Sequence, residues 1–434
     1  MTIENIYELF IEAGGKISTD TRIIQEGSIF FALRGEFFDG NLFAGEALDK
    51  GATIAIVDDP SEKRDDRFIL VEDVLTTLQD LASYHVHQMG IPVICLTGSN
   101  GKTTTKELIH AILKHRFNVI ATRGNYNNHI GVPLTLLRIT GKTEIAVVEL
   151  GANHKGEIER LCNIACPNYG LITNIGRAHI DGFGSLEGII SGKTELYRYL
   201  DHQQGTVFYH ADNDILNEQV ANLSVKSISY GTKASPDVQG GLMNTYPYIK
   251  LKVVSEKYNQ ELVEISSYLV GSYNYENILA AICIGYHFGI TKQQVKEAVE
   301  NYIPSNNRSQ YLKTEKNEVI VDCYNANPTS MKAAITGFAE DPARDKLLVL
   351  GDMFELGDTS QGEHQEILNY AETIKNMGIL TAGSFFKACD SSRALQFNGV
   401  ESLRIYLKEN PPLSRKILLK GSRGMKLETV LNYL

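Results

Sequence analysis

The segment Ile91 to Ile109, IPVICLTGSNGKTTTKELI, constrains the fold of this chain more than any other. A short apolar run precedes a glycine turn, and residues with helical spacing follow it. This order predicts a strand, a tight turn and a helix N-terminus, an arrangement whose backbone amides bind phosphate. Lys102 can reach the outer phosphates, and the Thr103 hydroxyl suits Mg²⁺. The predicted nucleotide-binding residues are Thr97, Gly98, Ser99, Asn100, Gly101, Lys102, Thr103 and Thr104.

Composition narrows the class of protein. The 434 residues exceed one ordinary core, so we expect several domains. A net charge of −10 argues against nucleic acid as a partner. No apolar run reaches the roughly 18 residues that span a bilayer, and the N-terminus has no signal-like core. We expect a cytoplasmic monomer without membrane insertion, and we interpret the close pair Cys162 and Cys166 as reduced thiols rather than a zinc site.

The pattern of the chain predicts an α/β protein with three domains. Residues 1–82 alternate short strands and helices. Residues 83–308 alternate apolar strand-like runs with helices, which indicates a mostly parallel sheet. Within them, Tyr246 to Gly271 has period-two stretches and predicts an antiparallel appendage. The alternation restarts over residues 309–434 and predicts a smaller doubly wound domain.

Three ionisable residues follow apolar strands or lie in a helix of small residues. Glu149 ends a wholly apolar run, so it is a candidate Mg²⁺ ligand, with a capping or surface glutamate as the alternative. His179 follows another such run, although a lone histidine is more often structural. Lys193 could act as a cation near a magnesium–triphosphate site. It could instead react with CO₂ to form a carbamate, an oxygen ligand for a hard metal. The residue types alone leave both roles open.

Amides and basic residues crowd three further turns. The loop Ala121 to Leu137 suits a polar substrate or is an ordinary asparagine turn. The turn after Asp322 again places polar groups at the carboxyl edge of a predicted sheet. Lys420, Ser422 and Arg423 follow the last predicted strand, where a solvated basic turn is the alternative. The candidate substrate-binding residues of the first two turns are Asn125, Asn127, Asn128, Tyr324, Asn325 and Asn327.

Seven motifs, in order along nearly the whole chain, resemble the Mur ligase family: TGSNGKTTTK, GNYNNHIGVPLTLL, ELGANHKGEI, NIGRAHIDGFGS, YNANPTSM, LGDMFELG and KGSRGM. The resemblance implies an N-terminal UDP-sugar domain, a central ATPase domain and a C-terminal Rossmann-like domain. It also implies ATP-dependent joining of D-alanyl-D-alanine to UDP-N-acetylmuramoyl-tripeptide through an acyl phosphate. The alternative is a sibling ligase that adds another amino acid or extends a folate glutamate chain. The Asn-Lys-x-Asp motif of a GTPase-like regulator is absent from the sequence.

The resemblance also implies residue roles. Thr103 and Glu149 would bind one Mg²⁺ and His179 a second, while Lys193 falls on the position that the family carbamylates. With Lys102, His179 and Lys193 are the expected catalytic residues. Asn274, Arg308 and Asp322 would contact the nucleotide. The implied UDP-sugar contacts, in ISTDTRII and FFALRGEFFDGNLFA, are Ser18, Asp20, Thr21, Arg22, Arg34, Gly35, Asp39 and Gly40.

Three positions depart from the family pattern. Asn41 and Tyr273 stand where histidines are usual, and Val321 replaces the first of two aspartates. None of these changes removes an implied metal ligand. They leave the details of the uridine, adenine and ribose contacts open.

Overall fold

Strands and helices alternate from end to end, which confirms the predicted α/β class. The structure, a computed structural model, describes residues 1–233, 235–305 and 307–434. The chain folds into two compact units. The first comprises residues 1–96, 117–151 and 158–170, and the second comprises residues 97–116, 152–157 and 171–434. The predicted domain bounds 1–82, 83–308 and 309–434 stay a prediction.

The N-terminal part of the first unit contains a four-stranded parallel sheet. Its elements are α1 (Ile3–Glu12), β1 (Ile17–Ser18), β2 (Ile29–Phe31), β3 (Arg34–Gly35), β4 (Phe38–Asp39), α2 (Ala44–Asp49), β5 (Ile54–Val57), β6 (Phe68–Leu70) and α3 (Val74–Met89). The sheet order is β1-β2-β5-β6, and β3 and β4 form a separate hairpin. The apolar strands β2 and β5 are central because both of their faces are covered. Helix α3 begins where Asp73 accepts a hydrogen bond from Thr76 N (2.6 Å), and it ends at Gly90, whose φ is +60°.

The middle of the chain forms strands β7 to β15 of a nine-stranded sheet. The strands are β7 (Val93–Thr97), β8 (Val119–Ala121), β9 (Ile145–Glu149), β10 (Tyr169–Ile172), β11 (Thr206–His210), β12 (Lys226–Gly231), β13 (Val238–Asn244), β14 (Lys250–Ser255) and β15 (Gln260–Ser266). The helices are α4 (Lys102–Leu113), α5 (Gly131–Leu136), α6 (Glu157–Ala165), α7 (Ile180–Phe183), α8 (Leu186–Lys193), α9 (Glu195–His202), α10 (Asp214–Ala221), α11 (Asn274–His287) and α12 (Lys292–Glu300).

Parallel pairing places polar residues at one edge of this sheet. Strand β9 pairs in parallel with β7 and with β8. Strand β10 runs beside β7, since Asn168 N donates to Val93 O (3.0 Å) and Thr173 N donates to Thr97 O (2.9 Å). Residues 98–101, which we call the phosphate turn, therefore follow β7 at the same edge of the sheet at which Thr173 follows β10. In α/β sheets this carboxyl edge is where ligands bind.

The predicted antiparallel appendage is present, but its first strand begins earlier than predicted. Strand β13 starts at Val238, not after Tyr246, and it pairs in parallel with β12 before it pairs antiparallel with β14. Strand β15 completes the antiparallel part. The sequence QGGLMN did not predict this strand, because its two glycines lower strand propensity and most of its side chains are not buried.

The C-terminal part contains a six-stranded sheet with helices on both faces, as predicted. Its elements are β16 (Gln310–Lys313), β17 (Glu318–Asp322), α13 (Pro328–Ala339), β18 (Lys346–Gly351), α14 (Ser360–Thr373), β19 (Met377–Ala382), α15 (Ser384–Lys387), β20 (Leu395–Phe397), α16 (Val400–Glu409) and β21 (Lys416–Lys420). The order is β16-β17-β21-β18-β19-β20, and only the edge strand β16 is antiparallel. Two apolar clusters, around Met331 and around Leu403, fill the two faces.

None of the helices in the described ranges is long and apolar enough to cross a membrane.

Candidate active site

The phosphate turn has the backbone that the sequence predicts. Helix α4 begins at Lys102 after Gly101, whose φ is +80°. Gly98 has a φ of +142°, and a Cβ built there would lie 2.0 Å from Thr173 Oγ1. Only glycine can occupy position 98 without strain and without displacing the neighbouring chain. The turn is thus a tight loop that leads into a helix N-terminus, as phosphate binding requires.

The segment after β10 fixes this turn. Ser99 N donates to Asn174 O (2.9 Å), and Asn100 N donates to Asn174 Oδ1 (3.0 Å). Thr173 Oγ1 donates to Asn100 O (2.6 Å). Thr173 and Asn174 were not among the residues predicted from the sequence. The sequence pattern could have indicated them, because two polar residues follow the apolar strand β10, just as the polar Glu149 ends the apolar strand β9.

Lys102 lies folded over the turn. Its Nζ donates to Gly98 O (2.6 Å) and to Ser99 O (3.3 Å). These carbonyl bonds hold the ammonium beside the helix N-terminus, where an anion is stabilised by the helix dipole. The neighbouring Thr103 is buried. The structure therefore brings the predicted phosphate-binding cation to the predicted loop.

Lys193 is the last residue of α8 and is only 1% exposed. Its Nζ donates to Ala152 O (3.0 Å) and lies 5.0 Å from the centroid of the Phe183 ring. Burial, reinforced by the charge of Lys102, lowers the pKa of Lys193 to about 7. A large fraction of this amine is therefore uncharged at neutral pH. An uncharged amine is the nucleophile that carbamate formation needs.

His179 pairs with a residue that the sequence analysis did not single out. Its Nδ1 lies 2.6 Å from Glu355 Oε2. Both residues have a left-handed backbone, with φ of +55° for His179 and +63° for Glu355. The close contact with His179 lowers the pKa of Glu355, so this carboxylate is charged at neutral pH. Strained backbone at two paired residues is typical of functional sites.

The C-terminal part contacts the phosphate turn directly. Asn327 Nδ2 donates to Asn100 Oδ1 (2.8 Å). Nearby, Arg177 N donates to Thr329 Oγ1 (3.1 Å), and Arg177 Nη1 lies 3.3 Å from Glu363 Oε1. Residues 324–328, the YNANP turn, therefore contact the phosphate turn, although the two are far apart in sequence. Both turns were predictable from the sequence, but their contact was not.

Two of the other predicted nucleotide residues, Asn274 and Asp322, already have protein partners. Asn274 Nδ2 donates to Val270 O (2.8 Å) and to Ser309 Oγ (3.1 Å). Asp322 accepts a hydrogen bond from the buried Lys420 Nζ (2.6 Å). Tyr273, one of the departures, bonds Ser309 Oγ through its hydroxyl (2.9 Å) and is largely enclosed. The contact of Asn274 with adenine stays a prediction.

Within the first unit, Glu149 lies at the end of β9 and is 2% exposed. Its Oε1 accepts a hydrogen bond from Asn127 Nδ2 (2.8 Å), and its backbone N donates to Thr122 Oγ1 (2.9 Å). Asn128 Oδ1 accepts from Gly131 N (2.8 Å) at the start of α5, whereas Asn125 is exposed. Asn127 therefore orients Glu149, and Asn128 shapes the turn. Burial excludes a surface glutamate, one of the two alternatives for Glu149, and its role as a Mg²⁺ ligand stays a prediction.

The predicted UDP-sugar residues lie on two turns of the N-terminal sheet. In the first turn, Asp20 accepts from Arg22 N (2.9 Å), and in the second, Arg34 Nε lies 3.0 Å from Asp58 Oδ1. Asn41, a departure from the family pattern, is fully buried and donates to Asp39 Oδ1 and Asp58 Oδ1 (both 2.8 Å). Asn41 thus holds the second turn together. The remaining residues of the two turns are Ser18, Thr21, Gly35 and Gly40.

Family models and known proteins that are similar to this chain all point to the same family. Three Mur ligase models match: the catalytic domain over residues 16–94, the middle domain over 96–285 and the glutamate ligase domain over 307–404. A UDP-N-acetylmuramoyl-tripeptide–D-alanyl-D-alanine ligase of Bacillus subtilis is 36% identical, over 96% of this chain and 92% of that protein.

Solved structures agree with this similarity. The crystal structure of MurF from Acinetobacter baumannii has a TM-score of 0.86 and 31% identity, over 96% of this chain and 92% of its own. The MurF ligase of Thermotoga maritima in complex with ADP also has a TM-score of 0.86, with 26% identity over 96% of each chain. Together with the site described above, these matches show that the chain belongs to the Mur ligase family.

Proposed function

We propose that this chain is an ATP-dependent ligase that joins D-alanyl-D-alanine to UDP-N-acetylmuramoyl-tripeptide, giving the pentapeptide, ADP and phosphate in peptidoglycan synthesis. One contact carries the proposal: Asn327 of the YNANP turn bonds Asn100 of the phosphate turn at 2.8 Å. A phosphate donor held by one turn can therefore meet an acceptor held by the other. The similarity to ligases of this specificity over 96% of the chain supports the same substrates.

The reaction needs ATP because a carboxylate has no good leaving group. The terminal carboxylate of the tripeptide attacks the γ-phosphorus of ATP, ADP leaves, and an acyl phosphate forms. The amine of D-alanyl-D-alanine then attacks the acyl carbon, the C–O bond to phosphate breaks, and the amine proton is lost. Two anions meet in the first step, so catalysis depends on positioning and on neutralising charge.

Lys102 supplies a protein cation for that step. Its Nζ is now held by Gly98 O and Ser99 O at the mouth of the α4 N-terminus. Bound phosphate oxygens would replace these carbonyl partners, because a charge-assisted bond is stronger than a bond to a neutral carbonyl. The backbone N–H groups of the turn orient the same phosphates.

A divalent cation would suit residues of the second unit. There, Thr103 and a carbamylated Lys193 would offer the hard oxygen ligands that Mg²⁺ prefers, and His179 would offer a nitrogen. The assignment of Glu149 as a further Mg²⁺ ligand stays a prediction. Bound Mg²⁺ would neutralise developing charge on the phosphoryl oxygens. The Nδ1 of His179 is committed to Glu355, which leaves Nε2 for a ligand and fixes the ring orientation. The number of ions and the assignment of these ligands are part of the proposal.

The environment of Lys193 supports the carbamate over the free cation. In carbamate formation the neutral amine attacks CO₂, an N–C bond forms and one proton is released. A pKa of about 7 makes the neutral amine available, whereas an ordinary lysine would be almost wholly protonated. Burial opposes keeping a positive charge at this place. The carbamate would also reverse the sign of that charge.

Substrate contacts are proposed on the same basis. Asn274, Arg308 and Asp322 would contact the nucleotide, and the turns of Ser18–Arg22 and Arg34–Gly40 would hold the UDP-sugar. Asn125, Asn127, Asn128, Tyr324, Asn325 and Asn327 would line the peptide and dipeptide. A cytoplasmic monomer remains our expectation.

A panel of amines tests the specificity against a sibling ligase. With ATP, Mg²⁺ and UDP-N-acetylmuramoyl-tripeptide present, D-alanyl-D-alanine should stimulate phosphate release far more than D-alanine, D-glutamate, L-lysine or diaminopimelate. Stimulation by a single amino acid instead of the dipeptide would support the sibling activity and reject the proposal.

A further inference from the structure

The ring of Tyr324 contacts two guanidinium groups. Arg308 Cζ is 3.5 Å from the ring centroid, and Arg423 Cζ is 4.8 Å from it. Each guanidinium gains a cation–π contact. Two like charges on one ring repel each other, however, so this arrangement favours binding of an anion.

Neither guanidinium forms an ion pair or a hydrogen bond through its side chain with another described residue. The Nε of Arg308 is buried without a hydrogen-bond partner within those residues. Asp322, two residues before Tyr324, is already engaged by Lys420 Nζ (2.6 Å) and Ser309 N (3.3 Å). The positive charge at Tyr324 is therefore not neutralised by that carboxylate.

The backbone at Arg423 is held firmly, unlike that of an ordinary solvated turn. Ser422 N donates to Asp352 O (3.1 Å), and Ser422 Oγ accepts from Phe354 N (3.0 Å). Ser422 Oγ also lies 3.5 Å from Ala326 O, which ties this turn to the YNANP turn. A Cβ on Gly421 would lie 2.9 Å from Gly351 Cα, so the two strand ends approach closely. The backbone of Arg423 is thus held in place beside the YNANP turn.

We propose that Arg423 binds the terminal carboxylate of D-alanyl-D-alanine. It would thereby make the ligase specific for a dipeptide, in which the carboxylate lies on the residue after the one that bears the reacting amine. This inference rests on the proposed function. Guanidinium and carboxylate match as a bidentate pair, for which lysine is a poor substitute. The Tyr324 ring holds the guanidinium plane and lowers the entropy lost on binding.

The two ends of the dipeptide need separate binding places. An extended dipeptide spans roughly 7 Å, so its amine and its carboxylate occupy different places. The amine must reach the acyl carbon near the Asn100–Asn327 contact. The carboxylate then lies further along the YNANP turn, toward Tyr324 and Arg423. Arg308, with its Nε buried, remains available for the nucleotide.

A substrate pair tests the inference: D-alanyl-D-alanine and D-alanyl-D-alaninamide, whose terminal carboxylate is replaced by a neutral amide. With the first, Arg423→Ala should raise the KM of the dipeptide about 10- to 100-fold, the loss expected for a charged hydrogen bond. The KM of ATP should stay within twofold. With the amide, the wild type and Arg423→Ala should have the same KM. Arg423→Lys should lie between the two on the carboxylate substrate.

The controls separate the possible outcomes. Lys408→Ala removes an exposed cation on α16 and should leave every KM unchanged. Equal KM increases with both substrates, an increase for ATP instead, or no change at all would each overturn the role of Arg423 while the proposed function stands. If the wild type forms no product from D-alanyl-D-alanine, the proposed function fails and this inference fails with it. Thermal melting shows whether Arg423→Ala folds, and Arg423→Lys keeps the test valid if it does not.

Discussion

Asn327 Nδ2 donates to Asn100 Oδ1 at 2.8 Å, although 227 residues separate the two in the chain. The same Asn327 side chain caps α13, since its Oδ1 accepts from Ser330 N at 2.9 Å. One amide therefore stabilises a helix with its oxygen and joins the YNANP turn to the phosphate turn with its nitrogen. The two functions can be separated by substitution.

Asn327→Ser keeps a capping oxygen but loses the donor to Asn100. We expect its free energy of unfolding to stay within about 0.5 kcal/mol of the wild type, because serine caps helices as well as asparagine does. Its kcat should fall about tenfold, since the turns lose a contact that aligns the reactants. Asn327→Ala should show the same fall in kcat and also lose about 1 kcal/mol of stability. Phosphate release and urea unfolding measure the two effects; unchanged kcat in both variants would contradict the role of this contact.

Gly98→Ala should abolish ATP binding. The substitution strains a backbone with a φ of +142° and places a Cβ 2.0 Å from Thr173 Oγ1. For a residue other than glycine, a positive φ of this kind alone costs about 1–3 kcal/mol of folding free energy. The exposed Gly362, in α14, has no neighbour within 4 Å of a built Cβ, so Gly362→Ala is the matched control and should stabilise the helix by about 0.5–1 kcal/mol. Calorimetric ATP titration that gives equal affinities for both variants would refute the prediction.

Lys193→Met should stabilise the protein in CO₂-free buffer. The folded state lowers the pKa of Lys193 from 10.5 to about 7, so folding disfavours its charged form. The resulting destabilisation is full below pH 7, declines between pH 7 and 10.5, and is absent above. The Tm of Lys193→Met should therefore exceed that of the wild type by several degrees at pH 6 and converge with it near pH 10.5. Lys155→Met, at an exposed lysine, is the control and should show no such trend.

Glu355→Gln should weaken the response to Mg²⁺ about 10- to 100-fold. Glu355 holds the His179 ring through Nδ1, and loss of such an orienting carboxylate has this typical effect on metal affinity or activity. The concentration of Mg²⁺ at half-maximal phosphate release measures it. Asp358→Asn removes an exposed carboxylate three residues away and should leave the curve in place. A normal Mg²⁺ curve for Glu355→Gln would remove Glu355 from the site.

The sequence predicted what depends on local pattern. The phosphate turn was predictable because its strand, glycines and helix start lie within 19 residues, and the buried end of β9 marked Glu149 in the same way. Strand β13 was not predictable, since QGGLMN has neither apolar alternation nor strand propensity and is held by its neighbours.

Contacts between distant segments required the structure. Glu355 lies in the LGDMFELG motif, yet nothing local links it to His179. Asn41 departs from the family pattern, but its burial between Asp39 and Asp58 is a tertiary property. The lowered pKa of Lys193 likewise comes from burial, which a helix of small residues only suggests.

Mass spectrometry of the product tests the central claim most directly. Purified protein, ATP, Mg²⁺, UDP-N-acetylmuramoyl-tripeptide and D-alanyl-D-alanine should yield the UDP-N-acetylmuramoyl-pentapeptide, with one ADP and one phosphate for each amide formed. Lys102→Met should form none of it. Release of phosphate without pentapeptide, or pentapeptide formed equally without ATP, would contradict the account.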